Sequence, residues 1–169
     1  MKPFQLEGLA WMKQMEASEY KGGILGDEMG LGKTIQAVSL IMSDFPAGKP
    51  SLVLVPPVAL MQWVSEIDSY TDKALKTFVF HGTNLNTKSI KLPDLKKYDV
   101  IMMSYNSLES MYRRETKGQV KKTDGDDGTV ELHKKASVIH KIDFHRIILD
   151  EAHGIKVSCP CRQSCSERR

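Results

Sequence analysis

The chain lacks cysteine over almost its whole length. Its three cysteines, Cys159, Cys161 and Cys165, all lie within the last eleven of the 169 residues. A disulfide framework is therefore excluded for the core, and the distribution fits a reducing compartment. The Cys-x-Cys-x-x-x-Cys spacing is not the typical spacing of zinc ligands, and a fourth ligand would have to be His153 or come from elsewhere. We expect a loose, oxidisable tail rather than a metal site.

Long apolar runs are also missing. No run approaches the roughly 18–20 residues that a membrane-spanning helix needs, and the first residues contain no apolar signal core. We therefore expect an intracellular protein without a membrane partner. The formal net charge is only +3, and hydrophobic residues make up 41% of the sequence. This composition is typical of a globular domain and does not by itself indicate a nucleic-acid partner.

A glycine-rich stretch, Gly26–Thr34, ends in Gly-Lys-Thr, as phosphate-binding loops do. Such a loop points successive backbone N–H groups at a phosphate, and its lysine supplies a charge for the β- and γ-phosphates. Thr34 would supply a hydroxyl for Mg²⁺ and begin a helix whose N-terminus favours an anion. The general pattern Gly-x-x-x-x-Gly-Lys-Ser/Thr requires glycine at position 27, where this chain has Asp27. The match is therefore good but imperfect.

Apolar patterning predicts an α/β domain with a mostly parallel sheet, because strands and helices alternate. The predicted strands are 23–25, 51–55, 76–80, 99–103 and 146–149, and the predicted helices are 4–16, 34–45, 58–70 and 106–112. The first helix would bury Leu6, Leu9 and Ala10 and leave Gln5 as a surface amide. Residues 88–97 read as a loop after a turn at His81-Gly82, and the charged stretch 113–137 reads as a surface insertion. We expect Trp63 to anchor the core rather than to stack on a ligand.

The tetrapeptide Asp150-Glu151-Ala152-His153 follows the last predicted strand. Ligands of parallel sheets bind beyond the carboxyl ends of the strands, so the phosphate loop and this acidic pair can share one site. Asp150 can hold Mg²⁺ together with Thr34. Glu151 can then orient or activate the water that attacks the γ-phosphate. The sequence therefore predicts a nucleoside triphosphate with Mg²⁺, and Lys33, Asp150 and Glu151 as the catalytic residues.

The ordered set of motifs resembles the Swi/Snf-type ATPases, a branch of helicase superfamily two. Acid at position 27 is normal in that family. The residues carrying the resemblance are Asp27, Glu28, Met29, Gly30, Leu31, Gly32, Lys33 and Thr34, followed by 52–57 with Gln62-Trp63, then 103–105, and then 149–153. Pro3–Leu9 is similar to the family's adenine-recognising Q motif, so the resemblance makes Gln5 an adenine ligand. It also implies contacts of Pro57, Ser104 and Tyr105 with a DNA backbone.

The resemblance implies a three-layer RecA-like fold of the P-loop NTPase class and an ATP-driven translocase on double-stranded DNA. Such an enzyme remodels chromatin or protein–DNA complexes in the nucleus, with nucleosomes or repair factors as partners. Residues 137–144 are most similar to the Rad-type DNA-repair branch. The family engine has two lobes, and here only 1–156 match, as a partial first lobe that ends after motif II. The sheet would be incomplete at its C-terminal side, and 157–169 would be an unstructured, atypical tail.

Three functional readings remain open at this point. The first is the ATP-binding lobe of a DNA-dependent ATPase, which is active when whole. The second is a non-catalytic product that binds nucleotide or DNA without turnover, because the second lobe with its arginines is missing from this chain. The third is a different phosphate-loop enzyme, such as a small kinase, in which the acidic pair and Gln5 would have no ready role. We also expect the chain alone to be marginally stable, since missing strands leave an open sheet edge.

Overall fold

The computed structural model of the chain describes residues 1–80, 90–117 and 138–155. The helices are α1 (Pro3–Ala17), α2 (Lys33–Ser43), α3 (Leu60–Thr71), α4 (Leu92–Leu95) and α5 (Tyr105–Lys117). The strands are β1 (Ser51–Val55), β2 (Thr77–Phe80), β3 (Val100–Ser104) and β4 (Arg146–Leu149), and 3-10 turns lie at Pro57–Ala59, Ile139–Lys141 and Ala152–Gly154. No helix in these ranges is long and apolar enough to cross a membrane.

The four strands form one parallel sheet in the order β2-β3-β1-β4. Ser51 at the start of β1 lies opposite Val100 on one side and Arg146 on the other. All residues of β1 and β3 are buried, so the sheet is covered on both faces, as their uninterrupted apolar runs predict. The predicted α/β class with a parallel sheet is confirmed.

The core is divided by the sheet into two layers of side chains. Alternate residues of a strand point to opposite faces, so Val53 and Val55 join a cluster with α2 and α3, while Leu52 and Leu54 join a cluster on the other face. Trp63 packs in the first cluster with only 4% of its surface exposed. Its predicted role as a core anchor is confirmed.

The buried face of α1 differs from the predicted one. Leu6 is 53% exposed and Ala10 is also exposed, whereas Gln5 is buried. The reason is a close approach of α1 to α2 at Gly8, where a Cβ atom would lie 2.0 Å from Oε1 of Gln36. Because this contact joins a glycine to a glutamine, apolar periodicity alone points to the wrong side of the helix.

The predicted strand at residues 23–25 is absent. Ile24 is 91% exposed, and the sheet formed by the described residues ends at β4. A short segment needs a neighbouring strand to complete its hydrogen bonds, so its apolar composition is not sufficient. Ile147 and Leu149 on β4 are also exposed, so β4 is the edge strand of the sheet that the described residues form.

Two boundaries also differ from the prediction. The expected loop at 88–97 contains α4, whose Leu95 is fully buried and whose Pro93 occupies the first turn, where proline is tolerated. Helix α5 continues past Tyr112 to Lys117, into the stretch predicted as an insertion. The predicted turn at 81–82, the rest of the insertion from 118 to 137 and the cysteine-containing tail 157–169 lie outside the described residues.

Arg146, at the beginning of β4, binds the C-terminal ends of α1 and α2. Its guanidinium donates to the two carboxylate oxygens of Glu16 at the end of α1, over 2.7 and 3.0 Å, and to the carbonyl of Asp44 after α2. The Arg146 side chain is 8% exposed and the Glu16 side chain 30%. This bidentate ion pair fixes the strand that carries Asp150 relative to α1 and α2.

Candidate active site

The phosphate loop is curled by two glycines. Gly30 has a φ of +86° and Gly32 a φ of +81°, a backbone region that residues with a Cβ adopt only at a cost. Gly32 caps the eleven-residue helix α2, so Lys33 and Thr34 lie in its first turn. The predicted helix after the loop is confirmed. Its N-terminal N–H groups have no partners within the helix and are therefore suited to an anion.

Lys33 lies inside the curl of the loop. Its ammonium donates to the carbonyl oxygens of Asp27, at 2.7 Å, and of Glu28, at 3.0 Å. An ammonium group has three N–H donors, so these two hydrogen bonds leave one for a phosphate oxygen. The loop thus holds the charge of Lys33 beside the N-terminus of α2.

Asp27 ties the loop to α2. Its carboxylate oxygen Oδ2 accepts a hydrogen bond from Nε2 of Gln36 over 2.9 Å, and Gln36 has no exposed surface. Position 27 does not have a positive φ, so the backbone does not require the glycine of the general pattern. Sequence reasoning missed Gln36. The available signal was a polar residue on the otherwise apolar face of α2, three positions after Lys33.

Gln5 also contacts the loop. Its Nε2 donates to the carbonyl of Leu31 at 3.0 Å, and its Oε1 accepts from the backbone N–H of Lys2 at 2.8 Å. The residue is 8% exposed, so the expectation of a surface amide is wrong. An amide has two N–H donors and two acceptor lone pairs, so the contact with adenine stays a prediction that these hydrogen bonds allow.

Asp150 follows β4 and is held by three groups. Its backbone N–H donates to the carbonyl of Leu54 at 2.9 Å, which extends the β1–β4 ladder. Its carboxylate oxygen Oδ2 accepts from the indole Nε1 of Trp63 at 2.8 Å, and its carbonyl accepts from the hydroxyl of Tyr105 at 2.7 Å. Burial raises the pKa of Tyr105, and the carboxylates of Asp150 and Glu151 raise it further.

Glu151 is held in a strained conformation. Its φ is +52°, in the left-handed region, and its side chain lies 3.2 Å from Nδ1 of the exposed His153. Such a backbone costs of the order of 1–3 kcal/mol and is concentrated at functional sites. The strained turn directs the chain into the 3-10 turn Ala152–Gly154 directly after the strand. The two adjacent carboxylates therefore have different surroundings, since that of Asp150 is half-buried and hydrogen-bonded to Trp63, whereas that of Glu151 is exposed.

The three residues predicted to contact DNA occupy different positions. Pro57 is exposed at the start of its 3-10 turn. Ser104 is 3% exposed, and its hydroxyl accepts from the backbone N–H of Ser107, which caps the N-terminus of α5. Tyr105 directs its hydroxyl at Asp150. Contact of these residues with DNA stays a prediction, and the structure gives Ser104 and Tyr105 structural contacts as well.

The donor set fits Mg²⁺ bound together with a nucleotide. In residues 1–80, 90–117 and 138–155, no group of three His, Cys, Asp or Glu side chains could hold a metal ion. Mg²⁺ in nucleotide sites commonly takes one or two carboxylates and completes its shell with phosphate oxygens and waters. The carboxylate of Asp150 and the hydroxyl of Thr34 are oxygen ligands of this kind.

Comparison with known proteins decides the family. Residues 4–164 match the family model described as the SNF2-related domain. The chain belongs to the SNF2-related family. Its RecA-like α/β fold agrees with the SWI2/SNF2 ATPase core domain of Sulfolobus solfataricus, with a TM-score of 0.63 and 27% identity over 93% of this chain and 26% of that one. The Sulfolobus solfataricus SWI2/SNF2 ATPase core in complex with dsDNA matches with a TM-score of 0.53 and 34% identity, over 63% of this chain and 22% of that one.

Curated relatives of this SNF2-related chain are much longer. The ATP-dependent helicase rhp16 of Schizosaccharomyces pombe is 50% identical over 154 residues, which cover 91% of this chain and 17% of the relative. The DNA repair protein RAD5 of Yarrowia lipolytica is 35% identical over 142 residues, which cover 81% of this chain and 13% of the relative. The SNF2-related chain thus spans less than a fifth of the length of either relative.

Proposed function

We propose that this SNF2-related chain is the ATP- and Mg²⁺-binding lobe of a DNA-dependent ATPase. The observation that carries the proposal is the loop that curls around Lys33 at the N-terminus of α2. The proposal is also supported by the position of α3. This helix packs on α2 in one core cluster, and its Trp63 donates a hydrogen bond to Asp150. The two halves of the predicted site are thereby connected through one helix.

Each predicted site residue is assigned a role in binding or hydrolysing the nucleotide that fits its surroundings. Lys33 and the N-terminus of α2 bind the β- and γ-phosphates, while Gln5 recognises the adenine. Thr34 and Asp150 hold Mg²⁺, which when bound neutralises charge on the phosphates. Glu151, exposed beside Asp150, orients the attacking water. Residues 27–32 shape the loop, because Asp27 and Leu31 are tied to Gln36 and Gln5.

Within the parent protein, we propose that this lobe drives translocation along double-stranded DNA in chromatin remodelling or DNA repair in the nucleus. The support is the likeness to an ATPase core in complex with dsDNA and to a DNA repair protein. Hydrolysis in this family requires arginines from a second lobe, worth roughly 10³–10⁵ in rate. Binding of the nucleotide, by contrast, requires only the residues described above.

Binding of a fluorescent ATP analogue with Mg²⁺ tests the proposal. We compare the unchanged chain with Lys33→Ala and with the matched control Lys13→Ala, which removes an exposed lysine from α1. Saturable binding that is lost only in Lys33→Ala supports the site. Equal binding by all three chains, or none by the unchanged chain, contradicts it.

Binding of a labelled duplex tests the DNA partner. Contacts with the DNA backbone release counterions, so the affinity should fall steeply as salt is raised and should depend little on sequence. Duplex binding that is insensitive to salt, or undetectable even at low salt, would contradict a DNA role for this lobe. Nucleotide binding by the same preparation would show that the lobe was nevertheless folded.

A further inference from the structure

The carboxylate of Asp150 is anchored by a residue far away in the sequence. The indole N–H of Trp63, 87 positions earlier, donates to Oδ2 over 2.8 Å. In the described part of the chain, the other carboxylate oxygen, Oδ1, makes no hydrogen bond, while the backbone N–H and carbonyl of Asp150 are paired with Leu54 and Tyr105. Three of the four polar atoms of Asp150 are therefore fixed, and one acceptor oxygen remains.

Trp63 is itself held rigidly. The ring is 4% exposed and is packed with Val38 and Ile41 of α2 and with Val53 and Val55 of β1. An indole has one donor and no acceptor, so it hydrogen-bonds one oxygen of the carboxylate and leaves the other without a partner from Trp63. A buried ring that cannot rotate thus determines the rotation of the carboxylate.

We propose that Trp63 is a positioning residue that fixes the Asp150 carboxylate by one oxygen and leaves the other to bind Mg²⁺. This proposal rests on the proposed function, since it assigns a determinant of metal affinity in the same site. Groups that orient a metal ligand from behind typically change metal affinity 10–100-fold when they are lost. Trp63 would act through Asp150, without touching the nucleotide.

The first test separates metal binding from nucleotide binding. The variant Trp63→Phe keeps the aromatic ring and removes the N–H donor. We measure the dissociation constant of a fluorescent ATP analogue with Mg²⁺ and again with EDTA, and take the ratio as the gain due to the metal. In Trp63→Phe this gain should fall about tenfold, towards the value of Asp150→Asn, while binding in EDTA stays unchanged. A loss of packing alone would weaken binding equally in both conditions.

The matched control is Trp11→Phe, which changes the other of the two tryptophans. Trp11 is 37% exposed, and its indole makes no hydrogen bond within the described residues. The metal-dependent gain in Trp11→Phe should equal that of the unchanged chain. An equal gain in Trp63→Phe would overturn the proposal and leave the proposed function standing. Failure of the unchanged chain to bind the nucleotide at all would overturn the proposed function, and this proposal with it.

A second measurement does not require Trp63→Phe to fold. In Trp11→Phe the only remaining tryptophan is Trp63, so the intrinsic emission reports the surroundings of its indole. Adding Mg²⁺ to the nucleotide-bound protein should shift this emission, and the shift should be absent when Asp150→Asn is introduced into the same chain. An emission that is unchanged by Mg²⁺ while the nucleotide binds would overturn the proposal.

Discussion

Three glycines of the phosphate loop provide a graded test of its geometry. Gly26 has an ordinary φ, and a Cβ atom there would have no neighbour within 4 Å. Gly30 also has open space but a φ of +86°. Gly32 combines a φ of +81° with a crowded position, because a Cβ atom would lie 2.5 Å from Nε2 of Gln5 and 3.1 Å from Cγ2 of Ile35. Alanine at position 26 should therefore cause neither strain nor a clash. Alanine at position 30 should cause backbone strain alone, and alanine at position 32 should cause both strain and a steric clash.

The expected changes in the free energy of unfolding follow from these differences. Gly26→Ala should stabilise by about 0.4–1 kcal/mol, because it restricts only the unfolded chain. Gly30→Ala should destabilise by about 1–2 kcal/mol, the cost of a left-handed backbone for a residue with a Cβ. Gly32→Ala adds overpacking of roughly 1–3 kcal/mol. Since 1 kcal/mol shifts the melting temperature by about 2–4 °C in a chain of this size, the three variants should be separable.

Melting followed by circular dichroism, together with binding of the ATP analogue, gives the readout. The order of melting temperatures should be Gly26→Ala, then Gly30→Ala, then Gly32→Ala, and the affinity for the nucleotide should follow the same order. The steric part can be isolated with Gln5→Ala, which removes the group that the new methyl would meet. If Gly30→Ala is as damaging as Gly32→Ala, or if Gln5→Ala does not lessen the penalty at Gly32, the contact between Gln5 and the loop is not as described.

Three further predictions concern the contacts and the conformation of β4 and of the residues that follow it. Glu16→Gln should lower the free energy of unfolding, measured in urea, by about 2–4 kcal/mol, because it leaves the largely buried guanidinium of Arg146 without its charge partner. The control is Glu109→Gln, in an exposed ion pair, which should lower it by only about 0.2–1 kcal/mol. Glu151→Gly should melt no lower than Glu151→Gln, since glycine relieves the positive φ, and a much lower melt would contradict the strain. The pKa of Tyr105 lies above its ordinary value of 10.0, so its contribution to stability is full below that pH and is lost as the pH rises through the folded pKa. The unchanged chain should therefore lose more stability in alkali than Tyr105→Phe, and parallel losses would contradict the raised pKa.

The central strands and the phosphate loop were predictable from the sequence because their signals are local. β1 and β3 are uninterrupted apolar runs, and buried parallel strands have that pattern. The curl before Lys33 follows from the conformational freedom of glycine, and α2 follows from its apolar period. The acidic pair at the end of β4 was predictable from its position, since ligands bind at the carboxyl ends of parallel strands.

The remaining features depend on contacts between distant residues. A strand at 23–25 requires a neighbouring strand, and the sheet of the described residues ends before reaching it. Gln5 is buried because Gly8 brings two helices close, which no hydrophobic pattern reports. The burial of Trp63 was predictable from its spacing, but the partner of its N–H lies 87 residues away. Apolar patterns predicted the burial of the central strands and of Trp63, whereas the burial of Gln5 and the polar partners of buried groups depend on the packed structure.

The side-chain contacts at the two ends of β4 have a consequence for local unfolding of this strand. An edge strand with one neighbour ordinarily frays from its ends, because the terminal hydrogen bonds have the least support. The first residue of β4 is Arg146, which is held by its ion pair with Glu16. Asp150, directly after the strand, is held by hydrogen bonds from Trp63 and Tyr105. Amide hydrogen exchange should therefore be slow at both ends and no faster there than at Ile147 and Ile148. The strand would then release its acidic pair only when the surrounding domain opens as a unit.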